Sequence, residues 1–279
     1  MFVQYDKKKT KDFTKKGWDE EYKSDSVNIK ERVKLLVDDK SIDIFLSEIY
    51  KSIFSLREEG KPVNVLDVGC GLGHQICSFS FLCDSAIGLD FSDAVVDSNN
   101  RLSNSAEFIQ GDAFDLSSLK KDFSIITMAG VLYNTPEEKN HKKIISEIYN
   151  LLSNNGLFIF YHRHNLNMVR HLRLLMNKYN LRRVDKEDLA YARTWFDDKY
   201  LTKLLRNQGF FIETIRKSDF VNPLTCHRFY RLFTKKGCFR TNDFKDLNIL
   251  GKLTYMVSKY LFNSISARSS FFVCRKTAN

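Results

Sequence analysis

Short apolar runs alternate with longer amphipathic segments along most of the chain. The runs have the length and the β-branched or aromatic content of strands, whereas the segments between them repeat apolar residues at helical spacing. Seven strands are predicted, at Val63–Val68, Ser85–Leu89, Ala106–Gln110, Phe123–Met128, Leu157–Tyr161, Phe210–Ile215 and Ser270–Arg275. Helices are predicted between them, including Gln75–Phe81, Ala94–Leu102 and His141–Leu152. This alternation predicts right-handed βαβ units and an α/β fold with a doubly wound, mostly parallel seven-stranded sheet.

Three stretches depart from the alternation and define the domain organisation. We predict an N-terminal helical lid or cap at 1–55, then a main domain at 56–279 with helical inserts at 162–206 and 216–267. Inserts at the strand ends of an open sheet shape the ligand pocket, so substrate identity is expected to reside in them. In the lid, Trp18 and Tyr22 share one helix face. These aromatics fit packing on the core as well as covering a ligand.

Charge is distributed unevenly along the 279 residues, whose formal net charge is +10. Residues 161–279 contain 24 Lys and Arg against 9 Asp and Glu, a net charge of +15, which leaves −5 for the first 160 residues. A basic surface attracts anions such as nucleotide-linked sugars, phosphorylated glycans, RNA or acidic lipid headgroups. A solvated surface that serves solubility explains the same excess equally well.

The cysteines and the N-terminal sequence indicate in which cellular compartment the protein is expected. Six cysteines form no C-x-x-C pair, and the adjacent Cys226 and His227 are too isolated to bind zinc. No metal and no disulfide framework are therefore expected, and a reducing cytosol is the natural environment. The N-terminus lacks the apolar segment of a secretory signal, and no stretch approaches the ~20 apolar residues of a spanning helix. We expect a cytoplasmic protein, at most peripheral to a membrane.

The strongest chemical signal is the sequence VLDVGCGLGHQ at Val65–Gln75. An apolar strand ends near Asp67, and glycines follow at three alternate positions. Such a turn lets the backbone approach a ligand closely and opens the next helix with its N–H groups directed at the ligand. A dinucleotide fingerprint would need glycine where this chain has His74. There is also no phosphate-binding G-x-x-x-x-G-K-[ST] loop.

With this D-x-G-x-G-x-G turn the chain resembles the class I S-adenosylmethionine-dependent methyltransferases. The resemblance continues in order, with Asp90 in IGLDFS, Asp112 in GDAFD, the AGVLY sequence at 129–133, SNNGL at 153–157, and the Trp195-Phe196 stretch before Gly209-Phe210. It spans about residues 18 to 276. The resemblance implies a Rossmann-like fold, S-adenosylmethionine as methyl donor and S-adenosylhomocysteine as product.

The resemblance also implies roles for individual residues. The glycine turn is expected to wrap the methionine part of the cofactor, Asp90 to hold both ribose hydroxyls, and Asp112 to accept from the adenine amino group. The full predicted cofactor set is Asp67, Gly69, Cys70, Gly71, Gly73, Asp90, Phe91, Asp112, Ala113, Phe114 and Ala129, with Trp18 and Tyr22 from the lid.

Methyl transfer from a sulfonium is an in-line displacement, and a hydroxyl acceptor benefits from a general base. The chain offers His162 and His164, which flank Arg163 at the end of the fifth predicted sheet strand, and we rank the two histidines equally as the base. Arg163 could bind an anionic group of the substrate. Tyr133 and Asn134, after the fourth strand, are the next candidates to touch the acceptor. A surface or helix-capping role for both histidines is equally open.

Motifs of several other methyltransferase classes are absent, which narrows the range of possible methyl acceptors. The chain lacks the N/D-P-P-Y/F/W motif of amino-directed enzymes after strand four, a Cys nucleophile beside Pro, and a paired-Glu loop. We therefore expect a hydroxyl, less often an amine, on a small molecule, sugar or glycan, and no DNA.

Three alternatives stay open. A lipid or prenylated acceptor fits the apolar helix candidate Leu247–Phe262, although packing on the sheet or a dimer contact explains that helix as well. RNA fits the basic and aromatic HRFYR sequence at 227–231. A non-catalytic cofactor-binding partner protein is the third.

Overall fold

The structure, a computed structural model, describes residues 2–4, 40–102, 105–119, 122–135, 138–163, 193–195, 198–220, 232–233, 235, 246–261 and 267–277. The chain divides into two compact units. The first comprises Met1–His162, Val184–Ile215 and Phe271–Asn279, and the second comprises Arg163–Arg183 and Arg216–Ser270. The second unit thus includes parts of both predicted inserts, but residues 184–206 of the first insert belong to the first unit.

The described elements follow one another in the predicted alternation. In chain order they are β1 (Phe2–Gln4), α1 (Lys40–Glu58), β2 (Asn64–Val68), α2 (His74–Phe79), β3 (Ser85–Asp90), α3 (Asp93–Leu102), β4 (Glu107–Gln110), β5 (Phe123–Ala129), α4 (Glu138–Leu151), β6 (Leu152–Arg163), β7 (Arg193–Trp195), α5 (Asp198–Gln208), β8 (Phe210–Phe220), α6 (Ile249–Leu261) and β9 (Ala267–Lys276). Two short 3-10 turns, Ser80–Leu82 and Leu132–Asn134, lie after α2 and β5.

Seven strands form one sheet in the order β4-β3-β2-β5-β6-β9-β8. The pairs β2–β3, β2–β5, β3–β4 and β5–β6 are parallel. The end of β9 lies beside the beginnings of its neighbours, because Lys276 Nζ donates to the Leu152 carbonyl at 2.7 Å and Thr277 Oγ1 donates to the Gly209 carbonyl at 3.1 Å. β9 therefore runs antiparallel to β6 and β8. The predicted Rossmann-like, mostly parallel sheet is confirmed.

Alternate residues of the central strands face opposite sides of the sheet and fill two apolar clusters. Leu66 and Ile126 belong to a cluster with buried residues of α4 and α5. Val65 and Ile125 belong to a second cluster with buried residues of α1 and α2. Each fully buried Leu, Ile or Phe contributes roughly 1.5–3 kcal/mol relative to exposure. Burial on both faces explains the near-continuous apolar strands of the sequence.

Helix α1 extends past residue 55, where the sequence analysis ended the lid. Its residues Phe45, Ile49 and Ile53 are buried in the second cluster, so this helix is part of the core. At the N-terminus, β1 pairs antiparallel with β7 in a separate two-stranded sheet. Trp18 and Tyr22 lie outside the described residues, and the role of 1–55 as a lid stays a prediction.

Helix α6 lies in the second unit, and a short network of hydrogen bonds fixes its beginning. Asn248 Oδ1 accepts from the Gly251 N–H at 2.9 Å, as an N-cap side chain does. The Asn248 N–H donates to the Phe233 carbonyl at 3.1 Å, and a Cβ at Gly251 would lie 1.9 Å from the same carbonyl oxygen. Glycine at 251 therefore lets the helix approach Phe233. Within the described part of the chain, no helix is long and apolar enough to cross a membrane.

Candidate functional site

The carboxyl ends of four parallel strands meet at one edge of the sheet. The sheet extends from β2 through β3 to β4 on one side, and through β5 to β6 on the other. Where the strand order reverses in this way, the loops diverge and leave a crevice that binds ligands. The predicted residues lie at these strand ends: Asp67 is the last but one residue of β2, Asp90 and Ala129 end β3 and β5, and Asp112 follows β4. The structure therefore brings them to the same edge of the sheet.

The glycine turn after β2 needs glycine for two reasons. Gly69, Gly71 and Gly73 have φ angles of 72°, 52° and 71°, a left-handed conformation that favours glycine. In addition, a Cβ at Gly69 would lie 2.3 Å from Val131 Cγ2, and one at Gly73 would lie 2.7 Å from the Phe108 ring. The backbone of the turn is thus held tightly between β3, β4 and the loop after β5.

Asp67 has a buried carboxyl group. It is 1% exposed, and Oδ1 accepts from the Thr127 hydroxyl at 2.7 Å. Oδ2 is buried and has no hydrogen-bond partner within the described residues. Burial, together with the nearby charge of Asp90, raises the pKa of Asp67 to about 7, although the Thr127 hydroxyl opposes the shift. Near neutral pH this group therefore exists in both protonation states.

Asp90 connects the end of β3 to the glycine turn. Its Oδ2 accepts from the Gly71 N–H at 2.9 Å and its Oδ1 accepts from the Ser92 N–H at 3.1 Å. The side chain is only 6% exposed. A carboxylate has about four acceptor positions, so it can serve the backbone and a hydroxyl-bearing ligand together. Asn99 Nδ2 donates to the Gly71 carbonyl at 2.8 Å and holds the other side of the turn.

Asp112 is exposed in the turn after β4. Its Oδ1 accepts from the Phe114 N–H at 2.9 Å, which closes an Asx turn. Ala113 and Phe114 are partly buried against the first cluster. These contacts order the turn in which the sequence analysis expects adenine to bind.

Three other residues of the predicted cofactor set have mainly structural contacts. Cys70 packs against the second cluster, and burial raises the pKa of its thiol far above the usual range, so it remains protonated. The Phe91 carbonyl accepts from Gln110 Nε2 at 3.5 Å. Ala129, the last residue of β5, also packs against the second cluster.

The loop after β5 contains residues that the sequence analysis assigned to the acceptor. Asn134 Nδ2 donates to the Gly130 carbonyl at 2.9 Å, and Asn134 Oδ1 is buried without a hydrogen-bond partner among the described residues. Tyr133 belongs to the same 3-10 turn, but its side chain lies outside what the structure describes. Strand β7 contacts this turn, so the β1–β7 pair lies beside the loop.

His162 lies near the end of β6 and is 1% exposed. It follows Phe160 by two residues, so it shares the sheet face that α4 and α5 cover. The Gly130 N–H donates to the carbonyl of neighbouring Tyr161 at 3.5 Å, which joins this strand end to the loop after β5. Arg163 ends the strand, and its side chain, like the whole of His164, lies outside the described residues.

Sequence reasoning missed a buried histidine that anchors the loop after β5. His141, on α4, is fully buried, and its Nε2 lies 2.6 Å from the Thr135 carbonyl oxygen. A carbonyl only accepts, so Nε2 carries the hydrogen. Burial lowers the pKa of His141, so the ring is neutral at pH 7 and Nδ1 accepts from the Tyr200 hydroxyl at 3.2 Å. The helical spacing does place His141 on the buried face, because Ile144, Ile145 and Ile148 follow it at three, four and seven residues, but its partners Thr135 and Tyr200 lie on other elements.

Replacing His141 by phenylalanine is expected to lower the free energy of unfolding by about 1–3 kcal/mol, because the Thr135 carbonyl loses its donor. Tyr200→Phe should cost about 0.5–1.5 kcal/mol. The two losses should not add, because the Tyr200 hydroxyl donates to the His141 ring. Urea unfolding of the two single variants and the double variant measures the coupling. Strictly additive losses would mean that the pair does not act together.

Three features of the crevice fit S-adenosylmethionine. The glycine turn permits close approach of a ligand to the backbone. The orphaned Oδ2 of Asp67 suits an ammonium group, and the Asp90 carboxylate suits vicinal hydroxyls. Among the residues that the structure describes, no group of three or more His, Cys, Asp or Glu could hold a metal ion.

Comparison with known proteins agrees with this fit. Residues 66–160, which run from β2 into β6 and include the glycine turn, Asp90 and Asp112, match a family model described as a methyltransferase domain. A comparison with curated protein sequences finds no match.

Solved structures of methyltransferases share the fold. Magnesium protoporphyrin IX methyltransferase from Synechocystis PCC 6803, with bound SAH, is 14% identical with a TM-score of 0.53, over 91% of this chain and 96% of that one. A SAM-dependent methyltransferase from Methanosarcina mazei is 18% identical with a TM-score of 0.51, over 78% of this chain and 94% of that one. The DhpI–SAH complex is 12% identical with a TM-score of 0.52, over 97% and 98%.

The matched domain contains the glycine turn and the acidic residues that end or follow the next two strands, and the seven-stranded sheet has the fold of these enzymes. Residues 66–160 therefore belong to a methyltransferase domain, within a sheet that has the fold of S-adenosylmethionine-dependent methyltransferases.

Proposed function

We propose that the enzyme transfers the methyl group to a hydroxyl, less often an amine, of a small molecule, sugar or glycan. The observation that carries the proposal is His162, a buried histidine at the end of β6, beside the loop after β5. A hydroxyl must lose its proton as its oxygen gains the methyl group, and a neutral imidazole can accept that proton. His164, two residues on, is the other candidate base.

The cofactor, when bound, supplies a methyl group already activated on a sulfonium. Of the chain's own residues, we assign Asp67 and the glycine turn to the amino-acid end of the cofactor, Asp90 to the ribose, and Asp112 with Ala113 and Phe114 to the adenine. Asn134 Oδ1 is a buried acceptor that suits the O–H or N–H of the methyl acceptor. Tyr133 and Arg163 complete the assigned substrate side, Arg163 toward an anionic group.

The test is a screen of acceptors with the purified enzyme and a radiolabelled methyl donor. Sugars, nucleotide sugars, phosphorylated glycans and small phenols provide the hydroxyls, and primary amines of similar size provide the comparison. Methyl transfer to a hydroxyl supports the proposal. Transfer to amines alone would overturn the assignment of a hydroxyl as the main acceptor.

The base is tested on whichever acceptor is found. His162→Ala or His164→Ala should lower kcat by about 10²–10⁴-fold without a comparable loss of S-adenosylhomocysteine affinity. His141→Phe serves as a comparison for lost stability, because it removes a buried histidine that hydrogen-bonds the Thr135 carbonyl and the Tyr200 hydroxyl. Unchanged turnover in both the His162 and the His164 variants would remove the general-base assignment.

A further inference from the structure

Helix α6 exposes an apolar stripe, formed by Ile249, Leu250, Leu253, Met256, Val257 and Tyr260. Their spacing places them within an arc of about 120° on the helix surface. The exposed fraction ranges from 39% at Met256 to 89% at Ile249. The opposite side of the helix contains Gly251, which packs against the Phe233 carbonyl. The helix therefore packs by its small residue and presents its large apolar residues outward, the reverse of an ordinary surface helix.

The charge of the second unit favours an anionic partner for this stripe. The second unit contains 17 Lys and Arg against three Asp and no Glu, a net charge of +14, whereas the chain as a whole carries +10. Helix α6 itself has no acidic residue, and Lys252 and Lys259 lie two turns apart on one flank of the stripe. An apolar face bordered by lysines is the signature of a helix that lies in the interface of an anionic bilayer.

The same charge disfavours other occupants. Two copies that met through α6 would bring two units of +14 together, and like charges repel. RNA would suit the charge, but a stripe of Ile, Leu, Met and Val offers bases little beyond one tyrosine for stacking. We propose that the enzyme docks on an anionic membrane surface through the apolar stripe of α6. This inference stands apart from the acceptor proposed above.

Co-sedimentation of the full chain with vesicles tests the docking. Phosphatidylcholine vesicles that contain phosphatidylglycerol should bind the protein, and vesicles of phosphatidylcholine alone should bind it at least about tenfold more weakly, because roughly 1 kcal/mol per nearby lysine is lost. Leu253→Glu should lower binding to the anionic vesicles by at least about tenfold, since it removes an apolar side chain that the bilayer would cover and adds a charge that the anionic lipids repel. Leu253 is 62% exposed, so the variant should remain folded.

The matched control is Phe54→Glu on α1, an equally radical change at a residue that is 52% exposed in the first unit. It should bind vesicles as the wild type does. Equal losses in both variants, or no binding of the wild type to anionic vesicles, would overturn the proposal. If no vesicle binding occurs and Leu253→Glu dissociates a dimer in sedimentation, the stripe is an interface between copies. If the protein binds a structured RNA but no vesicles, the positive charge of the second unit serves RNA binding and the membrane proposal is wrong.

Discussion

Asp90→Ala is expected to abolish measurable binding of S-adenosylhomocysteine in isothermal titration. The variant loses the proposed acceptor for two ribose hydroxyls, and each hydrogen bond to a charged group is worth about 1.5–3 kcal/mol. It also releases the Gly71 N–H and the Ser92 N–H, so the glycine turn loses its tie to β3. The combined loss corresponds to roughly 10²–10⁴-fold in affinity.

Two variants separate a lost ligand contact from a misfolded chain. Asp97→Ala removes an exposed carboxylate from α3, the next helix, and should leave the affinity unchanged. Asp90→Asn keeps one side-chain oxygen as an acceptor but sets its amide NH2 against the Gly71 or the Ser92 N–H, so it should lose affinity by an intermediate factor and unfold at a somewhat lower temperature than the wild type. Wild-type affinity in folded Asp90→Ala would show that this carboxylate does not hold the cofactor.

Asp67 is expected to make both stability and cofactor affinity depend on pH. The folded-state pKa of Asp67 is about 7, against an ordinary value of 3.8. The unfolded chain therefore releases this proton near pH 4, whereas the folded chain retains it to about pH 7. The contribution of the neutral group to stability is complete below about pH 4 and is lost as the pH rises through about 7. The loss is on the order of a few kcal/mol, at about 1.4 kcal/mol per pH unit.

The Asp67→Asn variant isolates this effect, because the amide stays neutral and keeps an oxygen for the Thr127 hydroxyl. The difference in unfolding free energy between wild type and variant should shrink or reverse between about pH 4 and 7, as urea unfolding would show. Asp84→Asn, at an exposed carboxylate whose pKa is lowered by the Val63 N–H and by Arg57, should lack this trend. A pH-independent difference for Asp67→Asn would rule out the raised pKa.

Binding should follow the opposite course. An ammonium group pairs with the ionised carboxylate, so affinity for S-adenosylhomocysteine should rise with pH through about 7 in the wild type. Asp67→Asn should bind at least about tenfold more weakly and without this rise. Titrations in buffers of different ionisation enthalpy would also detect release of a proton on binding to the wild type. If the affinity of wild type and Asp67→Asn depended on pH in the same way, Asp67 would not contact the cofactor.

Most of the sheet was predictable because its strands are buried on both faces, and burial requires continuous apolar runs. β2 and β3 begin and end within one residue of prediction. β6 was predicted at 157–161 but spans Leu152–Arg163, because α4 passes directly into a strand with a register shift opposite Phe123. The SNNG sequence looked like a turn, and Asn155 does adopt φ 62°, but the pairing of Leu152 with Phe123 depends on tertiary contacts.

The glycine turn and the positions of Asp90 and Asp112 at or after strand ends were also predictable, because glycines and acids at strand ends are local signals. The supporting residues were not. Val131, His141 and Tyr200 act through contacts with residues that are distant in sequence, such as the 59-residue separation between His141 and Tyr200. The pairing of β1 with β7 joins segments about 190 residues apart, so no local sequence pattern predicts it.

The contact between Val131 and the glycine turn has a consequence for engineering the enzyme. Because a Cβ at position 69 would collide with Val131 Cγ2, the glycine turn and the loop after β5 cannot vary independently. In a library designed for a new methyl acceptor, a larger side chain at position 131 would displace the glycine turn. Such variants are expected to lose affinity for the methyl donor. Epistasis between positions 69 and 131 should therefore confine adaptive change to smaller residues at 131, or to paired substitutions.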